Sequence, residues 1–319
     1  MASTLAFVFP GQGSQQLGML AELAERYAVV RATFEEASAV LGYDLWELVQ
    51  EGPADQLNQT DKTQPALLAA SVAVWRVWKE LEGAHPAWVA GHSLGEYSAL
   101  VCSGALDFAD GLRLVRARGE FMQAAVPQGE GAMAAILGLD AEAVEKACAE
   151  AAEGEVVQAV NYNAPGQIVI AGSVAAVDRA IAACQAAGAR KAMPLPVSVP
   201  SHCELMRPAA EKLAEELNRI QLNKPRVPVI QNVNAAPETE VSKLRDNLVA
   251  QLYRPVRWIE TIEFMDAQGV DTYLECGPGK VLVGLNKRIV KPAKSLAVND
   301  PDSVMAALEL LRGQQEANA

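Results

Sequence analysis

Ala87-Trp88-Val89-Ala90-Gly91-His92-Ser93-Leu94-Gly95-Glu96-Tyr97-Ser98-Ala99-Leu100-Val101 is the stretch whose reading decides the fold. Its first four residues form a short apolar run that reads as a buried strand, and residues 96–101 read as the start of a helix. The G-x-S-x-G pentapeptide at residues 91–95 therefore falls on a strand-to-helix turn, which exposes Ser93 as a candidate nucleophile. The flanking glycines permit a sharp turn and close approach of a substrate, while the new helix directs N–H groups and its positive dipole end at any oxyanion formed there. Without that context the pentapeptide would be a glycine-rich loop bearing a solvated serine.

Outward from this turn, strand and helix signals alternate, which predicts an α/β fold. Residues 4–9 read as a strand, Pro10-Gly11-Gln12-Gly13 as a turn, and a helix is expected from there through about Tyr27. A second helix is expected from Pro65 to Gly83, with a Trp and Leu stripe facing the core. Residues 227–233 and 270–275 read as further buried strands, the latter followed by Gly277-Pro278-Gly279-Lys280. That turn lacks the G-x-x-x-x-G-K-[ST] spacing of a phosphate loop.

Residues 131–197 follow a different grammar: strand 132–139, helix 141–152, strands 156–162 and 167–171 joined by Asn163-Ala164-Pro165-Gly166, helix 174–187 and strand 191–195. This β-α-β-β-α-β order is that of a ferredoxin-like unit. The expected organisation is a large domain with a parallel sheet, residues 1–128 and 198–319, carrying an inserted small domain over residues 129–197. Pro and Gly mark both exits, and the polar tail after Arg312 is expected to fray.

Composition narrows the function classes. Half of the 319 residues are hydrophobic, enough for a large core, yet no apolar run approaches the ~20 residues of a membrane span and no signal peptide is visible. Five widely spaced cysteines without C-x-x-C fit neither a disulfide framework nor a zinc site, so a cytoplasmic protein with reduced thiols is expected. A net charge of −12 disfavours nucleic acid or an anionic membrane as partner.

A serine hydroxyl needs a base, and the chain has three histidines. His85 precedes Pro86 in a turn, and the side chain of His92, adjacent to Ser93, diverges from it. His202, where the small domain returns to the large one, is the base by elimination, and no acidic third member is visible. On the helix expected over residues 109–125, Arg118 is flanked at three and four residues by Leu114, Val115, Phe121 and Met122, so it projects from the apolar face. A buried guanidinium needs a carboxylate, from the protein or from a ligand.

Taken in order, Phe9-Pro10-Gly11-Gln12-Gly13-Ser14-Gln15, residues 91–100, Arg118-Gly119, residues 161–167, Val199-Pro200-Ser201-His202 and Glu275-Cys276-Gly277-Pro278-Gly279 resemble the malonyl-CoA:acyl carrier protein transacylases of bacterial fatty acid synthesis, over nearly the whole chain. The resemblance implies an α/β-hydrolase-like large domain with a ferredoxin-like insert and ping-pong acyl transfer without metal or cofactor. It implies Ser93 as nucleophile, His202 as base, Arg118 as holder of the malonyl carboxylate, and the backbone N–H groups of Gln12 and Leu94 as oxyanion hole. The Gln251 backbone carbonyl would orient the histidine in place of an acid. The implied partners are malonyl-CoA and acyl carrier protein, and the chain is expected to act as a monomer. A serine hydrolase or thioesterase, or an acyltransferase with another acyl-CoA preference, is the alternative from the residues alone. Lys280, Lys287, Arg288, Lys291 and Lys294 form a run without an acid, a candidate docking patch for an acidic carrier.

Overall fold

The computed structural model describes residues 4–197, 199–291 and 293–317. Among these residues nine strands form two sheets. The strands are β1 (Leu5–Phe9), β2 (Trp88–Gly91), β3 (Gly131–Leu137), β4 (Val157–Ala164), β5 (Gln167–Ser173), β6 (Lys191–Pro194), β7 (Val229–Ile230), β8 (Thr272–Cys276) and β9 (Lys294–Val298). The larger sheet has the order β7-β2-β1-β8-β9 and every pairing in it is parallel. Its central strand, LAFVF, is buried on both faces, as the continuous apolar run requires of a parallel strand covered by helices. Leu5, Phe7 and Phe9 face the main core, where Phe7 meets the edges of Trp75 and Trp78 at 5.3 and 5.4 Å, while Ala6 and Val8 face a second core built around Trp258 and Tyr273.

The smaller sheet is antiparallel with the order β4-β5-β3-β6, the arrangement of a ferredoxin-like unit, and all six of its elements follow the expected sequence. Helices Ala141–Ala151 and Val174–Ala186 cover one face through Ala134, Ile136, Ile168 and Ile170. The other face, with Met133, Val160, Val169 and Ala171, packs on Cys203, the neighbour of His202. Residue 198, where the large domain was expected to resume, lies outside the described residues.

Four expectations are corrected. The helix after β1 is a loop, with Gly18 and Leu20 both at positive φ (78° and 63°), followed by separate helices Ala21–Arg26 and Ala28–Leu41. The helix expected from Pro65 begins earlier, at Thr60, and ends at Glu80; Pro65 lies in its second turn, where its missing N–H forfeits one i→i−4 bond. The strand over residues 227–233 shrinks to Val229–Ile230, because Gln231 and Asn232 leave the sheet, the Asn232 N–H donating to Glu96. The C-terminal helix Pro301–Ala317 continues beyond Arg312 into the Gln and Ala residues that favour it.

Helix Phe108–Ala125 is seated against helix Thr60–Glu80 by Gly119, where an added Cβ would lie 2.7 Å from both the Asp61 Cα and the Thr60 carbonyl oxygen. Gly284, exposed in helix Val281–Ile289, has nothing within 4 Å of that position. The two glycines should respond oppositely to alanine: Gly284→Ala gains up to about 1 kcal/mol of stability from reduced backbone entropy, whereas Gly119→Ala loses about 1–3 kcal/mol by overpacking. Thermal unfolding midpoints of the two variants test this. A Gly119→Ala midpoint at or above that of the unchanged protein would contradict the close helix contact.

Candidate active site

Ser93 follows β2 and precedes helix Gly95–Cys102, the strand-to-helix turn expected. The two glycines of the pentapeptide are required by packing. A Cβ on Gly91 would lie 1.9 Å from the backbone of Gly95, and one on Gly95 would lie 2.1 Å from the Phe9 carbonyl oxygen. Close backbone approach compresses the turn, and Ser93 itself takes φ 52°, a left-handed conformation costing a non-glycine residue about 1–3 kcal/mol. Its N–H donates to Asn232 Oδ1 at 2.8 Å, and Asn232 Nδ2 donates to the Gly91 carbonyl at 2.7 Å. Asn232 thus staples both ends of the turn.

His202 arrives from the opposite side on a loop, also at positive φ (67°), with its N–H bonded to the Leu252 carbonyl. Its Nδ1 is 2.7 Å from the Gln251 carbonyl oxygen and its Nε2 is 2.7 Å from Ser93 Oγ. A carbonyl oxygen only accepts, so the proton of a neutral ring sits on Nδ1 and Nε2 is left to accept from the serine hydroxyl. Burial, then the Arg118 charge, push the His202 pKa down to about 3, opposed by the bond to Gln251. The ring is neutral across the physiological range. Among the described residues a backbone carbonyl, and not an acid, meets Nδ1 of this ring.

Arg118, on the buried face of helix Phe108–Ala125, is 1% exposed. Its Nη1 donates to Gln64 Oε1 at 2.9 Å, and its Nη2 donates to Gln251 Oε1 at 2.9 Å and to Ser93 Oγ at 3.3 Å. The Tyr97 ring lies 5.3 Å from the guanidinium carbon. Among the described residues no carboxylate comes within ion-pair distance of Arg118, although eleven other ion pairs form. Of the two sources of a partner left open by the sequence, the protein does not supply the direct one.

Gln251, last residue of helix Val241–Gln251 and fully buried, joins these groups. Besides holding His202 and Arg118, its Nε2 donates to the Ser93 carbonyl at 3.0 Å and to Glu96 Oε2 at 3.2 Å. Leu94 opens the helix after Ser93, and Gln12 lies in the turn after β1, where Gly11 packs so closely on the elbow that a Cβ would be 2.5 Å from the His92 carbonyl oxygen. Both turns lie at the C-terminal ends of adjacent parallel strands, where α/β sites form. His92 Nε2 donates to Asn163 Oδ1 at 2.7 Å, a contact between the large and small domains. His85 is exposed, at the opposite end of β2.

Lys280, Lys287 and Arg288 lie apart from this cluster on and before helix Val281–Ile289, all exposed. Arg288 is already engaged: it donates to the Pro165 carbonyl at 3.0 Å and to Gln167 Oε1, tying that helix to the β4–β5 hairpin.

Sequence reasoning missed Gln64, Glu96, Asn163 and Asn232, all buried and all within the cluster or beside it. A signal existed only for Asn232, a polar side chain inside the apolar run of residues 227–233.

Residues 6–315 match the model of the acyl transferase domain. The chain is 63% identical over 305 residues to malonyl CoA-acyl carrier protein transacylase of Escherichia coli strain K12, covering 96% of this chain and 99% of that one. To the protein of the same name from Bacillus subtilis strain 168 it is 49% identical, covering 98% and 99%. Among solved structures it is similar to an acyl carrier protein S-malonyltransferase from Vibrio cholerae, with TM-score 0.94, 62% identity, and 95% and 99% of the chains covered. It is likewise similar to a malonyl-transacylase solved in complex with its type II PKS acyl-carrier protein, with TM-score 0.96, 59% identity, and 97% and 100% covered. The chain, matched from one end to the other, belongs to the acyl transferase family and groups within it with the malonyl CoA-acyl carrier protein transacylases.

Proposed function

We propose that this protein moves a malonyl group from malonyl-CoA to the phosphopantetheine thiol of acyl carrier protein through a malonyl ester of Ser93. Ser93 Oγ attacks the thioester carbonyl as its proton passes to His202 Nε2. The carbon–sulfur bond breaks, and the proton goes to the sulfur of CoA. The carrier thiol then attacks the ester with His202 acting as base toward it and as acid toward Ser93. The N–H groups of Leu94 and Gln12 are assigned to the developing oxyanion. No acidic third member is needed, since the Gln251 carbonyl sets the imidazole tautomer.

The observation that carries the substrate assignment is Arg118, a buried guanidinium without an ion-pair partner among the described residues, 3.3 Å from the serine oxygen. An acyl group with a distal carboxylate supplies what it lacks, through two charge-assisted hydrogen bonds. We further assign residues 129–197 as the inserted unit. We also propose a cytoplasmic location, which fits five free cysteines and the absence, among the described residues, of a helix long and apolar enough to cross a membrane.

Intact-protein mass spectrometry after mixing with malonyl-CoA should give a malonyl adduct on the unchanged protein and none on Ser93→Ala; a full adduct on the variant would overturn the nucleophile. Arg118→Ala should cost malonyl acylation about 2–5 kcal/mol, the range for a buried charge left without its partner, with acetyl-CoA affected much less. Equal losses toward the two thioesters would make Arg118 structural.

Because His202 is held neutral, its protonation should not limit the slow acylation by acetyl-CoA between about pH 8 and pH 5. An acid limb near the ordinary histidine value of 6.5 would contradict the buried dyad.

Carrier docking is assigned to Lys280 and Lys287, with Arg288 as a tether of the hairpin beside them. Charge reversal at Lys280 and Lys287 should raise KM for acyl carrier protein and leave acylation by malonyl-CoA nearly unchanged. Added salt should slow transfer to the carrier more steeply than transfer to a small pantetheine thiol. Identical salt dependence for the two acceptors would remove this assignment.

A further inference from the structure

Among the described residues Glu96 is the one carboxylate in the cluster, 1% exposed in the first turn of helix Gly95–Cys102. Its Oε2 accepts from the Asn232 N–H at 2.8 Å and from Gln251 Nε2 at 3.2 Å, while Oε1 has no hydrogen-bond partner among the described residues. The other end of the same Gln251 amide accepts from Arg118 Nη2 at 2.9 Å. A single side-chain amide therefore stands between a buried guanidinium and a buried carboxylate. Neither charge has a direct partner of opposite sign, and each is the nearest formal compensation the other has.

We propose that Glu96 is the resident counter-charge of Arg118 and determines acyl specificity by charge exchange: when a substrate carboxylate pairs with Arg118, Glu96 takes up a proton from solvent, and when a neutral acyl group is loaded it does not. This rests on the reading of Arg118 as the carboxylate-binding residue.

The physical reason is charge balance among groups buried from solvent. Two carboxylates cannot both stay ionised around one buried guanidinium without a large electrostatic cost, so the pKa of one of them rises. The malonyl carboxylate contacts Arg118 directly, whereas Glu96 is one amide removed and is already pushed up to about 7 by burial, against the opposing bonds from Asn232 and Gln251 and the Arg118 charge. The other titratable groups facing the cluster hold their protonation near neutrality. Burial pushes the Tyr97 hydroxyl, on the same helix, up to about 12, and the His202 ring from the facing loop down to about 3. The pKa of His92 is also lowered by burial. Oε1 can receive the proton without breaking either bond to Oε2.

Acylation itself is proton-neutral, since the Ser93 oxygen–carbon bond forms, the carbon–sulfur bond breaks, and the hydroxyl proton leaves on CoA. Ionisation of the released thiol is common to every acyl-CoA. Any difference in proton uptake between malonyl-CoA and acetyl-CoA therefore belongs to the site.

The test is proton uptake on forming the acyl-enzyme, read with a pH indicator in weakly buffered solution. Malonyl-CoA should take up about half a proton per site at about pH 7 and closer to one at about pH 8 in excess of acetyl-CoA, as expected for a group titrating near 7 whose pKa rises further. By linkage, the malonylation equilibrium should weaken relative to acetylation as pH rises above about 7. Glu96→Gln should abolish the excess and flatten this pH dependence. It should also shift the malonyl-to-acetyl ratio of kcat/KM toward malonyl by on the order of tenfold at about pH 8, the cost of protonating a group that titrates near 7 one unit above its pKa.

Equal proton uptake from the two thioesters in the unchanged protein would overturn the inference, whether or not Glu96→Gln folds. So would excess uptake that persists in Glu96→Gln. If Arg118→Ala loses malonyl preference while the unchanged protein shows no excess uptake, charge exchange fails and the Arg118 reading stands. If Arg118→Ala keeps malonyl preference, the Arg118 reading itself fails.

Discussion

The hydrogen bonds of Gln251 are the constraint on which the site depends. Its carbonyl takes the Nδ1 proton of His202, which leaves Nε2 as the only ring acceptor for Ser93. Its side-chain amide faces Arg118 with oxygen and faces Glu96 and the Ser93 carbonyl with nitrogen. The opposite amide orientation would set donor against donor at the guanidinium, so the surrounding charges fix the side chain as firmly as it fixes them. One buried residue thus determines tautomer, guanidinium position and the carbonyl end of the turn at Ser93. Hydrogen bonds of this kind are high-stakes, since each unmet polar group in a dry cluster costs its full desolvation.

The rest of the molecule holds that geometry against strain. Ser93 and His202 both sit at positive φ, and each has its N–H taken by a partner from a distant part of the chain, Asn232 and the Leu252 carbonyl. The segment after Gln251 is in turn sewn to the small sheet, the Val256 N–H donating to the Val160 carbonyl and the Tyr162 N–H to the Val256 carbonyl. The next residue, Arg257, gives its N–H to the carbonyl of Asn232. The His92–Asn163 contact bonds the small domain directly to the turn at Ser93. Val160 and Val169 of its sheet pack against Cys203 beside the histidine.

What was legible in the sequence was local. The elbow at Ser93, the six elements of the small domain and the inward direction of Arg118 each follow from periodicity within a window of one helix or strand, and all three match the structure. His202 followed by elimination among three histidines, and Gln251 only from resemblance, because a backbone carbonyl carries no residue signature. Glu96, Gln64 and Asn232 were missed for a physical reason. Their partners are 54 to 155 residues away, and nothing in a one-dimensional pattern says that these polar side chains will find them. The loop before Ala21 was misread because its apolar residues keep helical spacing, while the positive φ of Leu20 is fixed by tertiary packing against the core.

The central claim is that the His202 ring is held neutral by burial and the Arg118 charge, with its proton placed on Nδ1 by the Gln251 carbonyl. The direct measurement is the ¹⁵N chemical shifts of the histidine ring nitrogens in the uncomplexed protein, assigned by comparison with His202→Ala and followed through a pH titration. The account predicts an Nδ1-protonated, Nε2-unprotonated ring for His202 that persists unchanged from about pH 8 to about pH 5. An imidazolium signal appearing near the ordinary value of 6.5, or the Nε2-protonated tautomer at any pH in that range, would contradict it.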